Sequence, residues 1–471
     1  MTSTTAVRPD RPTPLPSATP EQLGIDPRAI ESLVTAWESA RVRPFALTIV
    51  RHGTVACSLT WAPYRVDDQV LTYSLAKPFT SAAVGLAVAE GLFDLDDRLA
   101  ELCGVPVAEC SRSARITVAH LLSMSTGHTQ DTYDRLCVDD LPGSFLAIEP
   151  EQEPGTVFCY HNSATLMLAL LVERLSGQSL SDYLRPRLFE PLGIRPAGWE
   201  RTGTVVQGFS GLQVSCGEIA RLGLMLLNGG VFQGRRVLPA EWVAAAMTVQ
   251  TPTDERTDVD WSLGYGYQLW RSQHGWRGDG AFGQLCLVLP EQDLVVAALA
   301  QSEEMQPELD AVWTHLLPGL HDAPLADAGG VGRLAAGLAV PAARSAVSPL
   351  PGEWTLTAVG PAAAAVAPEG VVSVGNGELR VRDQLGDLAV PLGDGHWQRT
   401  DVALPDRPDL CLAGSVAWLA PDRLQARVVP LHCPHVLELE ADLAAGQARL
   451  AWQTGPLGQL SLSAHRWLPG D

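Results

Sequence analysis

The sequence predicts a mixed α/β domain followed by an all-β domain, and three observations carry that division. Helix-period and strand-period segments interleave from residue 27 to residue 317. Beyond residue 320 the composition changes, and residues 324–349 are rich in Ala, Gly and Pro, as suits a linker. Short apolar runs then recur between turn signals at 354–359, 371–374, 378–381, 416–419, 424–429, 436–439, 448–452 and 460–463, the pattern of a β-sandwich or barrel. A length of 471 residues suits two or three domains, and 46% apolar residues are ample for packed cores. The expected organisation is a disordered Pro- and Thr-rich segment over 1–20, a mixed domain over 21–323, a linker over 324–349 and a β domain over 350–471.

The elements of the first domain follow in order. Residues 27–41 read as a helix, with Ile30, Leu33, Val34 and Trp37 on one face. Apolar runs at 45–50 and 55–61 flank Arg51-His52-Gly53-Thr54, which has the length and the glycine of a hairpin turn. From Ser74 to Glu90 the chain is rich in Ala and Leu and reads as a helix. Residues 118–128 read as a short helix ended by glycine. His120 is expected at a helix end or in the core, because no Gly-x-Ser-x-Gly elbow accompanies it, and His128 is a candidate cleft residue. Further helices are expected from Asn162 to Gly177, over 179–194, 216–228, 239–249 and about 307–317. Strands are expected at 264–270, 284–290 and 294–298, and the glycines of 276–284 permit close approach of the backbone to a ligand.

Lys77 is the only lysine in the chain. Arginine keeps its proton at any accessible pH, whereas a lysine ammonium can be desolvated or repelled into releasing one. A site that needs a neutral amine cannot accept the exchange, so the exception asks for a chemical reason. Ser74 stands three residues earlier, and at that helical spacing two side chains share a face about 5–6 Å apart at Cβ. This is Ser-x-x-Lys geometry, in which lysine helps take the proton from an attacking serine near the positive end of a helix. A capping serine followed by a surface lysine is the plainer reading of the same four residues. Tyr160 and Asn162, two apart at a helix start, offer an acid/base phenol and an amide to one cleft, though a tyrosine before a helix also serves simply as packing.

A formal charge of −20 argues against nucleic acid and anionic membrane as partners. The amino terminus has no apolar stretch that could act as a signal peptide and no transmembrane run follows, so a cytoplasmic location is expected. Nine cysteines are scattered without paired metal spacing and read as reduced, mostly buried thiols. His432, Cys433 and His435 form a small cluster with no second cluster to complete a metal site. No metal and no cofactor is expected.

Ser74-Leu75-Ala76-Lys77, Tyr160-His161-Asn162 and the Gly-rich segment 277–284 occur in an order and at a spacing that resemble the serine β-lactamase and penicillin-binding-protein superfamily. The nearer likeness is to its class C-related serine hydrolases and esterases. It extends over about residues 20–320 and includes 121–128, 188–194 and 280–284. The resemblance implies an α+β catalytic domain, with an antiparallel sheet built from both ends of the domain and a helical lobe from its middle. It implies Ser74 as nucleophile, Lys77 and Tyr160 as proton-transfer groups, the backbone N–H groups of Ser74 and Ala281 beside Gly280 as an oxyanion hole, and Asn162 as a substrate contact. The reaction implied is hydrolysis of a small ester or amide through an acyl-serine. A catalytically silent ligand-binding or sensor protein on the same fold is an alternative, and a β-lactamase or D-amino-acid peptidase is a second.

The chain departs from the family at the third motif, which often reads Lys-Thr-Gly or His-x-Gly and here is Gly278-Asp279-Gly280. The cation that would meet a β-lactam or peptide carboxylate is absent from that place, which argues against penicillins and cell-wall peptides. Arg277 and Asp279 are two apart on a strand and so share a side. They are expected either to pair or to leave Asp279 facing the cleft, where it would favour amine-bearing substrates. The β domain resembles, more weakly, the lipocalin-like tails of some members of the family. It is expected to pack or dimerise, and residues 1 to about 325 are expected to keep a competent Ser74 site without it.

Overall fold

The structure is a computed structural model and describes residues 14–195, 198–254, 256–327, 329–348, 351–383, 386–404, 407–457 and 461–462. Helix α1 (Pro27–Ser39) starts where Asp26 accepts a hydrogen bond from the Arg28 N–H and Pro27 occupies the first turn. Its predicted apolar face is buried in full. Strands β1 (Pro44–Arg51) and β2 (Thr54–Thr60) are joined by His52 and Gly53, whose φ values of 51° and 69° meet the need of a two-residue hairpin for two left-handed residues. The remaining strands of that sheet come from the far end of the domain: β3 (Trp270–Ser272), β4 (Gly275–Gly280), β5 (Gln284–Leu289) and β6 (Leu294–Ala300). The order is β2-β1-β6-β5-β4-β3, antiparallel throughout.

Covering elements explain why β1, β5 and β6 are apolar runs rather than alternations. Helices α2 (Lys77–Ala89), α3 (Asn162–Ser176), α4 (Cys216–Leu227) and α5 (Ala240–Ala246) supply the helical side. A Cβ on Gly223 of α4 would stand 2.6 Å from Val295 Cγ1 and 2.9 Å from Cys286 Sγ, so glycine lets this helix lie directly on the sheet. Opposite, Trp37 of α1 donates its indole N–H to the carbonyl of Glu308 in α6 (Gln306–Ala311), at 2.9 Å.

Some sequence expectations need correction. Residues 264–269 form bends and isolated bridges rather than a strand, Tyr265 bridging Thr251 and Trp270, and only Trp270–Ser272 pairs with β4. The helix expected over 118–128 stops at Leu122, because Met124 turns into the left-handed region at φ 56°. The expectation of disorder over 1–20 lies outside the described residues up to residue 13. Beyond that it is wrong: Val55 donates to Pro16 O and Ala18 donates to Val55 O, tying this segment to β2. Within 324–349, residues 330–337 form helix α7 (Gly330–Gly337).

Among the described residues the C-terminal unit has nine strands: β7 (Glu353–Val359), β8 (Val371–Gly375), β9 (Glu378–Asp383), β10 (Gly386–Asp394), β11 (Gln398–Leu404), β12 (Arg407–Ala420), β13 (Arg423–Pro430), β14 (Leu437–Asp442) and β15 (Gln447–Trp452). Their order, β10-β9-β8-β7-β15-β14-β13-β12-β11, is closed by a parallel pairing of β10 with β12, which makes a barrel with β11 as an added flap. Strands β10 and β11 were not expected. Pro391 interrupts the first, and Gln398-Arg399-Thr400-Asp401 makes the second read as loop. The strand expected at 460–463 lies outside the described residues except for Ser461 and Leu462. Ala413, Val429, Leu431 and Val436 of the barrel join the core of the first unit, so the two share apolar packing.

Candidate active site

Ser74 sits in a tight turn (Tyr73–Ala76) that feeds directly into α2, and Lys77 opens that helix. Thr72 anchors the turn by donating its N–H and its hydroxyl to Leu212 O, each at 2.9 Å. Lys77 is 1% exposed, and its ammonium donates to Ser74 Oγ at 3.0 Å, Asn162 Oδ1 at 2.9 Å and Phe209 O at 3.2 Å. Burial lowers its pKa to about 7, although the Asp131 and Asp279 carboxylates pull the other way. The sole lysine is thus poised to exchange a proton near neutral pH, and the surface-lysine reading is excluded by its burial.

Tyr160 precedes α3 and stacks on Trp270, with ring centroids 5.6 Å apart and planes 10° apart, while Lys77 Nζ lies 4.5 Å from its ring centroid. Burial, and after it the nearby Asp279 carboxylate, pushes the Tyr160 pKa well up, against an opposing contribution from Ser74. The phenol therefore stays protonated at neutral pH. Asn162 begins α3 with its carbonyl on Lys77 and its amide donating to Asp131 Oδ2 at 2.8 Å. A substrate reaching Asn162 would meet a side chain already engaged at both ends.

Strand β4 borders Ser74 on the other side. A Cβ on Gly280 would stand 2.0 Å from Thr72 O and 3.0 Å from Leu75 N, and one on Gly278 would stand 2.6 Å from Pro78 Cγ. These glycines were expected to admit a ligand. They admit the turn that carries the nucleophile, and so bring the start of the 281–283 turn beside the Ser74 N–H. Phe282 and Gly283 in that turn have φ of 68° and 85°, and Gln284 ties it down by donating to Ala281 O and Ala300 O at 3.1 and 2.8 Å.

Arg277 and Asp279 pair, Nε to Oδ2 at 2.9 Å. Arg277 is completely buried; its Nη1 reaches Asp260 O and Ser272 Oγ at 2.8 and 2.7 Å, its Nη2 has no hydrogen-bond partner among the described residues, and its guanidinium lies 4.3 Å from the Trp261 ring centroid. Arg277 therefore lies beneath the cleft, as a support for Asp279, rather than in it among the substrate contacts. Removing Asp279 would strand a buried cation, at a cost of about 3–5 kcal/mol.

His128 is also corrected: it is buried, donates its Nε2–H to Ile148 O at 2.9 Å, meets Thr126 Oγ1 through Nδ1, and packs against Phe145 and His161. His120 caps its helix through Thr117, as expected. Sequence reasoning missed Asp131, which orients Asn162, and the Phe209 carbonyl, which holds Lys77. Neither belongs to a motif, and both reach the site only through the tertiary fold. It also missed Glu308, fully buried behind the 281–283 turn, with neither carboxyl oxygen partnered among the described residues. Burial holds the Glu308 pKa well above the usual carboxylate range, with the Asp279 carboxylate adding to the effect. The unfolded chain loses this proton near pH ~4.3 while the folded protein keeps it, so the group subtracts stability as pH rises above that value. Wild type should therefore lose stability relative to Glu308→Gln between pH 5 and pH 8 in thermal melts. Parallel melting curves for the two proteins would contradict that placement.

Residues 30–319 match the family model described as Beta-lactamase. The chain is 28% identical over 275 residues to penicillin-binding protein 4 of Amycolatopsis lactamdurans, spanning 50% of this chain and 72% of that protein. It is 28% identical over 290 residues to 6-aminohexanoate-dimer hydrolase of Paenarthrobacter ureafaciens, spanning 54% and 72%. Among solved structures, a penicillin-binding protein homologue from Caulobacter crescentus superposes with a TM-score of 0.51 at 16% identity, over 64% of this chain and 100% of that one, a likeness of fold.

Proposed function

The chain belongs to the Beta-lactamase family of serine hydrolases, and from that premise we propose that it cleaves a small ester or amide through an acyl-Ser74 intermediate. The observation that carries the reading is the 3.0 Å contact of Ser74 Oγ with a lysine whose pKa burial has brought to about 7. Neutral Lys77 takes the serine proton as Oγ attacks the carbonyl carbon. The Ser74 and Ala281 N–H groups receive the oxyanion. Lys77 returns the proton to the leaving alcohol or amine, with the Tyr160 phenol relaying it. Water, deprotonated by the same pair, then releases the acid and frees Ser74.

Asp279 supports a limit on the substrate. It sets a carboxylate where much of the family has a threonine beside a cation, and the neighbouring guanidinium is spent beneath it. Carboxylate-bearing β-lactams are disfavoured, and neutral or amine-bearing acyl compounds are favoured. The name of one relative, 6-aminohexanoate-dimer hydrolase, supports including an amide with a free amine among the candidates.

The test is a panel of a neutral short-chain chromogenic ester, an amine-bearing ester of equal size, the corresponding amide and nitrocefin, run with fluorophosphonate labelling and peptide mapping. Turnover of esters with the label on Ser74, and none of either in Ser74→Ala, is expected. Labelling without turnover of any compound would instead favour a silent binding protein, and rapid nitrocefin turnover would overturn the substrate limit. A preference for the amine that disappears in Asp279→Asn would assign Asp279 to recognition. Equal loss on both esters with a lower melting temperature would leave it a structural partner of Arg277.

A further inference from the structure

Ser74 and Ala281, whose N–H groups would hold the oxyanion, each adjoin a bulky residue in the left-handed region: Tyr73 at φ 49° and Phe282 at φ 68°. For non-glycine residues this conformation is strained and persists only where the surroundings hold it. One side chain of the barrel touches both. His435, in the connection between β13 and β14, is fully buried and lies 2.5 Å by Nε2 from the Tyr73 hydroxyl. Its ring meets Phe282 edge-on at 4.8 Å between centroids, and Phe282 meets Tyr73 at 5.2 Å.

The direction of these hydrogen bonds follows from the partners. His435 Nδ1 lies 3.0 Å from both Thr454 O and Thr454 Oγ1, and the carbonyl, which only accepts, favours the tautomer with the proton on Nδ1. Nε2 of the neutral ring then accepts, and the Tyr73 hydroxyl must donate to it. The Leu457 backbone N–H also lies close enough to favour negative charge on the Tyr73 oxygen. Both neighbours of that phenol thus come from the barrel. The same connection accepts hydrogen bonds from the first unit elsewhere: Leu71 N–H donates to His432 O at 2.9 Å, and the Tyr64 hydroxyl donates to Cys433 O at 3.0 Å.

We infer that the barrel completes the acylation site, with His435 as a positioning residue that holds Tyr73 and Phe282, and through them both oxyanion N–H groups, in place. The inference rests on the acyl-Ser74 reading. It also departs from the sequence expectation that residues 1 to about 325 keep a competent site without the tail, since that segment would lose every partner of the Tyr73 phenol named above. A separate interface contact serves as the control: Arg399 of β11 forks onto Asp68 at 2.9 and 3.0 Å and adds a bond to Pro63 O, joining the same two units without approaching Tyr73.

The experiment measures the second-order rate of fluorophosphonate labelling at Ser74, kcat and KM for a chromogenic ester, and melting temperature. It uses full-length wild type, His435→Ala, His435→Gln, Tyr73→Phe, the double variant His435→Ala with Tyr73→Phe, and Arg399→Ala. His435→Ala should lower the labelling rate and kcat roughly 10- to 100-fold, the scale of a small misplacement of reacting groups, with KM little changed. Tyr73→Phe should do the same, and the double variant should be no worse than either single one, because both remove one bond. His435→Gln, which keeps an acceptor towards Tyr73, should recover most of the rate. Arg399→Ala should lower the melting temperature and leave the labelling rate unchanged. Wild-type labelling in a folded His435→Ala, additive losses in the double variant, or equal rate losses in Arg399→Ala would each overturn the inference while leaving acyl-Ser74 intact. Wild type that takes no label at Ser74 would overturn both.

Discussion

Lys77→Arg is expected to lower kcat/KM for an ester by about 100-fold or more at pH 8, although the positive charge is kept. The guanidinium holds its proton at that pH and cannot accept one from Ser74. Wild-type acylation should rise as pH climbs through about 7, the value to which burial brings the Lys77 amine, and then level off. The sign follows from the role: the neutral amine is the active form, and a lowered pKa widens the range in which it exists. The arginine variant should show a low rate with no step near 7. A variant that retains more than about a tenth of wild-type activity, short of the loss expected when a general base is removed, would mean that Lys77 is not the base.

Gly280→Ala should be comparably damaging, for a different reason. Its Cβ would lie 2.0 Å from Thr72 O and 3.0 Å from Leu75 N, and both are backbone atoms of the nucleophile turn. Backbone cannot swing aside as a side chain can, so β4 and the turn must separate and carry residue 281 away from the Ser74 N–H. Losing the alignment of one oxyanion donor is worth about 10²–10³ in kcat. Gly278→Ala is the internal comparison, because its Cβ would meet side-chain carbons of Pro78 and Leu75 at 2.6 and 2.8 Å. Leu75 can adjust, so the loss should be smaller. Equal activity of Gly280→Ala and wild type would show that the strand and the turn need not touch.

Much of the fold could be read from residue pattern, because the signals are local. The His52-Gly53 hairpin, the apolar face of α1 and the stop of α3 at Gly177, with φ 70°, all announce themselves within a few residues. The Ser74, Lys77 and Tyr160 set could be read from motif order and from a composition with one lysine. Pattern fails where tertiary partners decide. Residues 264–269 carry the aromatic and glycine content of a strand yet form bends and isolated bridges, and β11 looks polar because it is a flap on the outside of the barrel rather than a wall of it. Asp131, Phe209 and His435 act on the site from distances in sequence that no local rule spans.

Tyr73 and His435 are separated by 362 positions in the chain, so their bond can close only after the connection between β13 and β14 has been made. At about 5–20 residues per second, roughly 20–70 s pass between the two leaving the ribosome. For that interval the nascent protein carries the serine and the lysine without the clamp that aligns them. A polypeptide cut short by premature termination before the barrel is made would likewise carry the Ser-x-x-Lys sequence without an aligned site. The later-made barrel thereby delays the onset of acylation until the connection between β13 and β14 is in place.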